Sequence, residues 1–204
     1  MKHIEESLGM RVDLGIIAQW IQPKSRVLDL GCGKGELLWY LIHQKQVQGM
    51  GFEIDEESLL ACVEKGIPVI QRDINLSLKD MEDKSFDYVI ISQTIQQLQH
   101  PDRLILESLR IGKYVIVSFP NFGHYTIRLS LLFKGRMPKS RALPYEWYDT
   151  PNIHLMTLRD FKDFCKRYNI YVHQWWYFWQ KKGGRWMFFP NWLASGCIAL
   201  ISAE

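Results

Sequence analysis

The stretch Val27-Leu28-Asp29-Leu30-Gly31-Cys32-Gly33-Lys34-Gly35 decides how this chain is read. Arg26–Leu30 is a short apolar run with the character of a buried strand, and the glycines at 31, 33 and 35 end it in a tight turn. Such a turn needs glycine because the backbone reverses sharply and a ligand must approach it with no Cβ in the way. Glu36–Gln44 follows with Leu37, Leu38, Leu41 and Ile42 on one helical face. A strand, a glycine turn and a helix make the opening half of a ligand-binding βαβ unit.

Outward from this unit the same rhythm continues. Val47–Ile54 reads as a second strand, Glu56–Lys65 as a helix stopped by Gly66, and Ile67–Asp73 as a third strand. Phe86–Gln93 is almost uniformly apolar and is expected at the centre of the sheet, covered on both faces. Asp102–Leu109 is a helix and Lys113–Phe119 a fifth strand. After Pro120 the pattern changes. His124–Lys134 reads as an inserted helix ended by Gly135, and Arg136–Asn152 as a long loop rich in Tyr and Trp. Thr157 is a good N-cap for a helix to about Tyr168, with Asp160 at the capping-box position. Tyr171–Gln180 and Ala194–Ser202 read as two further strands, joined through a turn at Gly183–Gly184 and an aromatic segment. The expected architecture is α/β, Rossmann-like: a mostly parallel seven-stranded sheet, helices on both faces and an antiparallel C-terminal strand pair. All 204 residues are expected to form one domain, with the inserted helix and loop at about 121–152.

Three acids fall at the carboxyl ends of successive strands, where open α/β sheets bind ligands. Asp29 precedes the glycine turn, Glu53 ends the second strand and Asp73 the third. A carboxylate at Asp29 would repel the pyrophosphate of a dinucleotide, but it suits the ammonium of a methionine moiety. The spacing is also GxGxG rather than the dinucleotide GxGxxG. Glu53 is placed to accept from both ribose hydroxyls, and Asp73 from an exocyclic amine such as that of adenine. S-adenosylmethionine (SAM) or its demethylated product S-adenosylhomocysteine is the ligand these groups fit.

The segments VLDLGCGKGEL, GFEID and SFDYVIISQTIQQL resemble the motifs of class I SAM-dependent methyltransferases. More narrowly, SFPNFGHY (118–125), LLFKGRMP (131–138) and ALPYEWYDTPNIHLMTLRDF (142–161) resemble the methionine biosynthesis protein MetW family, over about Pro23 to Ile170. The resemblance implies that Asp29, Gly31, Cys32, Gly33 and Gly35 line the methionine part of the cofactor. It places Glu53 at the ribose, Ile54 among the cofactor-binding residues, Asp73 and Ile74 at the adenine, and Gln93 near the transferable methyl. It also implies homoserine O-acyltransferase as the partner, with the chain supporting or regulating that enzyme. The rival reading is a genuine methyltransferase acting on a small molecule or a protein.

No residue stands out as a general base for methyl transfer. His124 and Asn121 follow the fifth strand at the ligand end; His124 has the chemistry of a base near neutral pH, and equally that of a cap for the helix it precedes. Loop packing suits His154 better than chemistry. Tyr145, a second catalytic candidate, forms with Trp147 and Tyr148 either a lid over the pocket or a small satellite core. Gln93, Gln96, Gln97 and Gln99 are neutral amides, which orient a ligand but take no proton. In the C-terminal part, Trp175, Trp176, Phe178 and Trp179 share a strand and Trp186, Phe188, Phe189 and Trp192 follow it. Because a strand alternates faces, these rings either lie under helices on both sides or leave part of themselves exposed as an interface.

Composition limits the remaining classes. The net charge is +3, with no Lys/Arg run to track a phosphate backbone, so no nucleic-acid partner is expected. No uncharged apolar run reaches the roughly 18 residues of a membrane span, and no membrane partner is expected. The four cysteines are dispersed with no CxxC pair, which offers no metal site and fits a reducing, cytoplasmic setting.

Overall fold

A computed structural model describes residues 11–76, 78–139, 145–179 and 182–204. Five strands come from the first part of the chain: β1 (Arg26–Leu30), β2 (Gln48–Glu53), β3 (Val69–Gln71), β4 (Phe86–Ser92) and β5 (Gly112–Pro120). Three come from the last: β6 (Ile170–Trp179), β7 (Lys182–Gly184) and β8 (Gly196–Ala203). The helices are α1 (Val12–Trp20), α2 (Glu36–Lys45), α3 (Glu56–Glu64), α4 (Pro101–Ile111), α5 (Tyr125–Lys134), α6 (Leu158–Arg167) and the short α7 (Pro190–Leu193).

The strands form one sheet in the order β3-β2-β1-β4-β5-β8-β6-β7. The first five are parallel, with Asp29 opposite Gly51 of β2 and Ile90 of β4. Strand β8 runs antiparallel to both β5 and β6. The order reverses between β1 and β4, so the glycine turn after β1 sits at the topological switch point where a crevice opens.

Alternation along the strands builds two cores. Leu28, Leu30, Val89, Ile91, Val115 and Val117 pack on one face against Leu104 and Ile105 of α4 and Phe161 of α6. Val27, Ile90, Ile116 and Ile198 pack on the other against Leu14 and Ile17 of α1 and Leu38 and Leu41 of α2. Each such side chain, fully buried, contributes roughly 1.5–3 kcal/mol. Both cores rest on strands that hold the ends of β1, β2, β4 and β5 level, which is what fixes the crevice.

The class expected from the sequence is the class observed, with differences of detail. The sheet has eight strands rather than seven. Gly183 and Gly184 do not form the turn between strands; they lie in β7, paired with Phe178 and Tyr177. A Cβ on Gly183 would collide with the Trp176 indole nitrogen, so this glycine serves close packing. Helix α1 had no signal in the sequence: its N-cap, Arg11, makes no side-chain cap, and its few polar residues, Asp13 and Gln19, do not make up a polar face. Thr157 does begin α6 with a complete capping box to Asp160. The four cysteines are free and buried. Among the described residues, no helix is long and apolar enough to cross a membrane.

Candidate functional site

The turn after β1 is held from below by β2, because Gly31 and Cys32 both donate to the Phe52 carbonyl at 2.9 and 3.1 Å. Gly31, Gly33 and Gly35 all take left-handed backbone angles, φ +82°, +56° and +76°. Their surroundings differ. A Cβ on Gly35 would sit 2.5 Å from Ile67 and 2.8 Å from the Cys62 sulfur, so that glycine lets α2 pack against α3. One on Gly33 would meet nothing within 4 Å, which leaves its backbone facing open space.

Asp29 lies beneath this turn and is 3% exposed. Its Oδ1 is buried without a hydrogen-bond partner. Burial pushes its carboxyl up to about 7; the Arg11 guanidinium opposes that shift and the Glu53 charge adds to it. A buried oxygen with no donor is costly, and a cation placed against it would both satisfy and ionise it.

Glu53 is held differently. Its Oε2 accepts from the Gly33 N–H at 2.7 Å, and its Oε1 from Ile54 and Asp55 N–H at 2.8 and 2.9 Å. These three donors fix the carboxylate at the rim of the turn. Ile54 beside it is 60% exposed, an apolar side chain standing at the same rim. Asp73 and Ile74 follow β3 and are half-buried. The Asp73 Oδ1 accepts from both the backbone and the side-chain nitrogen of Asn75, at 2.8 and 2.9 Å.

At the end of β4, Gln93 takes a left-handed φ of +55°, a strained conformation for a residue with a side chain. Its N–H donates to the Ser118 carbonyl and hydroxyl oxygens at 3.0 and 3.1 Å, which joins it to β5. Ser92 and Ser118 hydroxyls lie 3.2 Å apart, and Arg11 donates to Ser92 at 3.2 Å while pairing with Asp13 at 2.7 Å. A cavity of about 250 Å³ opens over this network, lined by Arg11, Asp13, Gln93, Pro120, Phe178 and Ser195. Arg11 and Asp13 are residues that sequence reasoning missed, since folding alone brings them to Ser92 from about eighty positions away. Gly51 was missed too: a Cβ there would touch the Cys32 sulfur at 2.5 Å. A glycine inside a strand pattern was the available signal.

Of the other candidates, the histidines, Asn121 and the glutamines have structural employment, and the loop aromatics stand exposed. His124 is the N-cap of α5, its Nδ1 accepting from the Thr126 N–H, and burial pushes its imidazole down. Asn121 is 1% exposed and fully bonded. It donates to the Asn191 and Ala194 carbonyls and accepts from the Gly123 and Leu158 N–H groups. The Gln96 and Gln97 side chains donate to the Gln93 carbonyl, and His154 Nε2 lies 3.5 Å from the Gln99 carbonyl. Tyr145, Trp147 and Tyr148 are 48%, 74% and 71% exposed, so they do not form the satellite core that was one expectation for them. Among the described residues, no three His, Cys, Asp or Glu side chains cluster as metal ligands.

The fold is similar to that of a SAM-dependent methyltransferase from Archaeoglobus fulgidus (TM-score 0.66, 16% identity, 98% of each chain covered). It is similar to the same degree to a possible histamine N-methyltransferase from Thermotoga maritima (TM-score 0.66, 16% identity, 92% of this chain and 86% of that one). The 4+2 cyclase SpnF also shares it (TM-score 0.66, 13% identity, 94% and 80%). At such identities the likeness shows the fold alone. In sequence, the chain is 34% identical over 180 residues to the bifunctional methionine biosynthesis protein MetXA/MetW of Rhodopirellula baltica. That match covers 84% of this chain and 29% of the relative, so the chain spans under a third of that protein's length. Residues 11–201 match the family described as methionine biosynthesis protein MetW, from the N-cap of α1 into the last strand, past both Pro23 and Ile170. The chain therefore belongs to the MetW family.

Proposed function

We propose that this chain binds SAM or S-adenosylhomocysteine at the carboxyl edge of its sheet and, so loaded, supports or regulates homoserine O-acyltransferase in methionine biosynthesis. One observation carries the cofactor reading: the buried, partnerless Asp29 Oδ1 lies beneath a glycine turn whose middle glycine faces open space. That pair of features fits a small cationic ligand laid across bare backbone. The family match and the fused MetXA/MetW relative support the role in methionine biosynthesis and the choice of partner.

The residues then divide the ligand among them. Asp29 takes the ammonium of the methionine moiety, and Gly31, Cys32, Gly33 and Gly35 line that end. Arg11 stands across the crevice as the counter-charge for its carboxylate. Glu53, held by three backbone donors, keeps its remaining lone pairs for the ribose hydroxyls without having to reorient. Ile54 supplies an apolar face for the adenine, with Asp73 and Ile74 at its edge, and Gln93 meets the sulfur end. Bound SAM supplies a sulfonium-activated methyl group. The chain's own groups position rather than abstract protons: His124 is engaged as a cap and Gln93 is a neutral amide.

The test is to purify the chain with homoserine O-acyltransferase and follow homoserine acylation with and without SAM or S-adenosylhomocysteine. Acylation that depends on the chain and shifts with either nucleoside is expected, with no S-adenosylhomocysteine formed from homoserine or its acyl ester. Acylation indifferent to the chain would overturn the proposal. A second reading, methyl transfer to a small acceptor, is favoured by the cavity of about 250 Å³ beside Gln93. Stoichiometric S-adenosylhomocysteine production would select it.

A further inference from the structure

Helix α5 is built unlike a surface helix. Of its ten residues, YTIRLSLLFK, only Ile127 is buried, and Leu132 and Phe133 are 73% and 78% exposed. A helix apolar on most of its circumference belongs inside something. The segment between β7 and β8 is alike: Trp186, Phe188 and Phe189 are 94%, 87% and 78% exposed. The two are joined, because the Arg128 guanidinium of α5 lies 5.1 Å over the Trp192 ring and buried Asn121 bonds the Asn191 carbonyl. The segment is also firmly shaped. Phe189 holds a left-handed φ of +48° as the N-cap of α7, a conformation that costs an aromatic residue energy and that a loose loop would relax.

The size and charge of this face describe its occupant. At about 150–250 Å² per aromatic side chain, its four most exposed rings offer roughly 600 Å², and Leu132 and Met137 extend the area toward the 800 Å² or so that each partner buries in a stable complex. A single exposed patch on a free-standing protein seldom exceeds that. No Asp or Glu occurs between residues 121 and 139 or between 182 and 194, whereas Arg128, Lys134, Arg136 and Arg185 do. The occupant is thus apolar at its centre and acidic at its rim. In the R. baltica relative the matching region is 29% of one continuous protein whose name also carries MetXA, which argues for the acyltransferase as that occupant.

We propose that α5 and the segment 185–193 form the docking face for the homoserine acyltransferase. This rests on the reading above and adds where contact is made. Both elements spring from the carboxyl edge of the sheet, α5 from the end of β5 and the segment into the start of β8, so the partner sits beside the nucleoside crevice. Asn121 ties this face to that edge, since it also accepts from the Leu158 N–H at the head of α6.

The experiment titrates purified homoserine O-acyltransferase with the wild-type chain and with Trp186→Ala, Phe133→Ser and Arg136→Glu, and titrates each variant with SAM. All three sites are exposed, and a thermal melt of each variant checks that it folds. Each substitution is expected to weaken the acyltransferase complex tenfold or more, with SAM affinity within twofold of wild type. Raising salt should weaken the wild-type complex and affect Arg136→Glu less. Folded variants that keep wild-type affinity for the acyltransferase would overturn the docking face and leave the functional reading standing. A wild-type chain that fails to bind the acyltransferase would sink the reading and this face with it. Two controls also count against the proposal: a wild-type homodimer that these substitutions dissociate, or sedimentation with phosphatidylserine vesicles that they abolish.

Discussion

Helices α5 and α6 are both ten residues long, both capped by a side chain, and put to opposite uses. Helix α6, LRDFKDFCKR, segregates its residues: Leu158, Phe161 and Cys165 are buried and the charges face out. Helix α5 is richer in apolar residues yet buries only Ile127. Composition alone would assign α5 to the core and α6 to the surface. What decides is whether the apolar side chains fall on one stripe, because a helix at a sheet face can present only one side to it. The fold uses the stripe of α6 fully and leaves most of α5 unsatisfied. The same split runs through the acids of the crevice, where Glu53 is bonded at both oxygens and Asp29 has one oxygen bonded to nothing.

The largest effect should come from testing that split in the helices. Phe161→Ala removes a ring that is 1% exposed and lies tilted against Phe119 at 4.9 Å between centroids; it should cost about 3–5 kcal/mol in chemical denaturation. Phe133→Ala on α5 should change stability by less than about 0.5 kcal/mol. Comparable losses at the two sites would erase the distinction.

The acids sharpen it next. Burial raises Asp29 to about 7 in the folded chain, whereas an unfolded aspartate titrates near 4, so the native state holds the extra proton. Stability from this group is full below about pH 4 and is lost as the pH rises through 7, by roughly 4 kcal/mol at most. Asp29→Asn keeps the shape without the titration. The difference between wild type and variant in urea stability should therefore grow from pH 4 to pH 8 in the variant's favour, and the variant should bind SAM poorly. A pH-independent difference would place the carboxyl in water.

Glu53→Ala removes the group that we assign to the ribose and should weaken SAM binding by about 3 kcal/mol, near a hundredfold, while the fold and acyltransferase binding survive. Calorimetry giving an unchanged affinity would remove Glu53 from the site. The smallest effect concerns the caps. Thr157→Ala, which breaks a two-way capping box, should cost about 1 kcal/mol, and His124→Ala, whose cap bond to Thr126 is 3.4 Å long, less than half as much. If His124→Ala instead abolished activity without loss of stability, the imidazole would be more than a cap.

Much of this was legible because local chemistry leaves local signatures. The glycine turn from Gly31 to Gly35, the acids at strand ends and the Thr157 capping box each require particular residues at fixed spacing, and each stands where the spacing put it. The alternation WWYF in β6 likewise sends Trp175 and Tyr177 to one core and Trp176 and Phe178 to the other. Other features depend on what arrives from elsewhere. Arg11 and Asp13 reach the crevice only because α1 packs beneath the sheet, and nothing near them in sequence announces it. Asn121 looked like an acceptor-site residue, and its bonds to two distant segments, around Asn191–Ala194 and at Leu158, became visible only when those segments were assembled. Whether Leu132, Phe133 and Trp186 lie inside or outside could not be read from their apolarity, since burial is a property of the space between elements. A sequence specifies which groups want to leave water, and only the packed tertiary structure decides which of them it has room to take in.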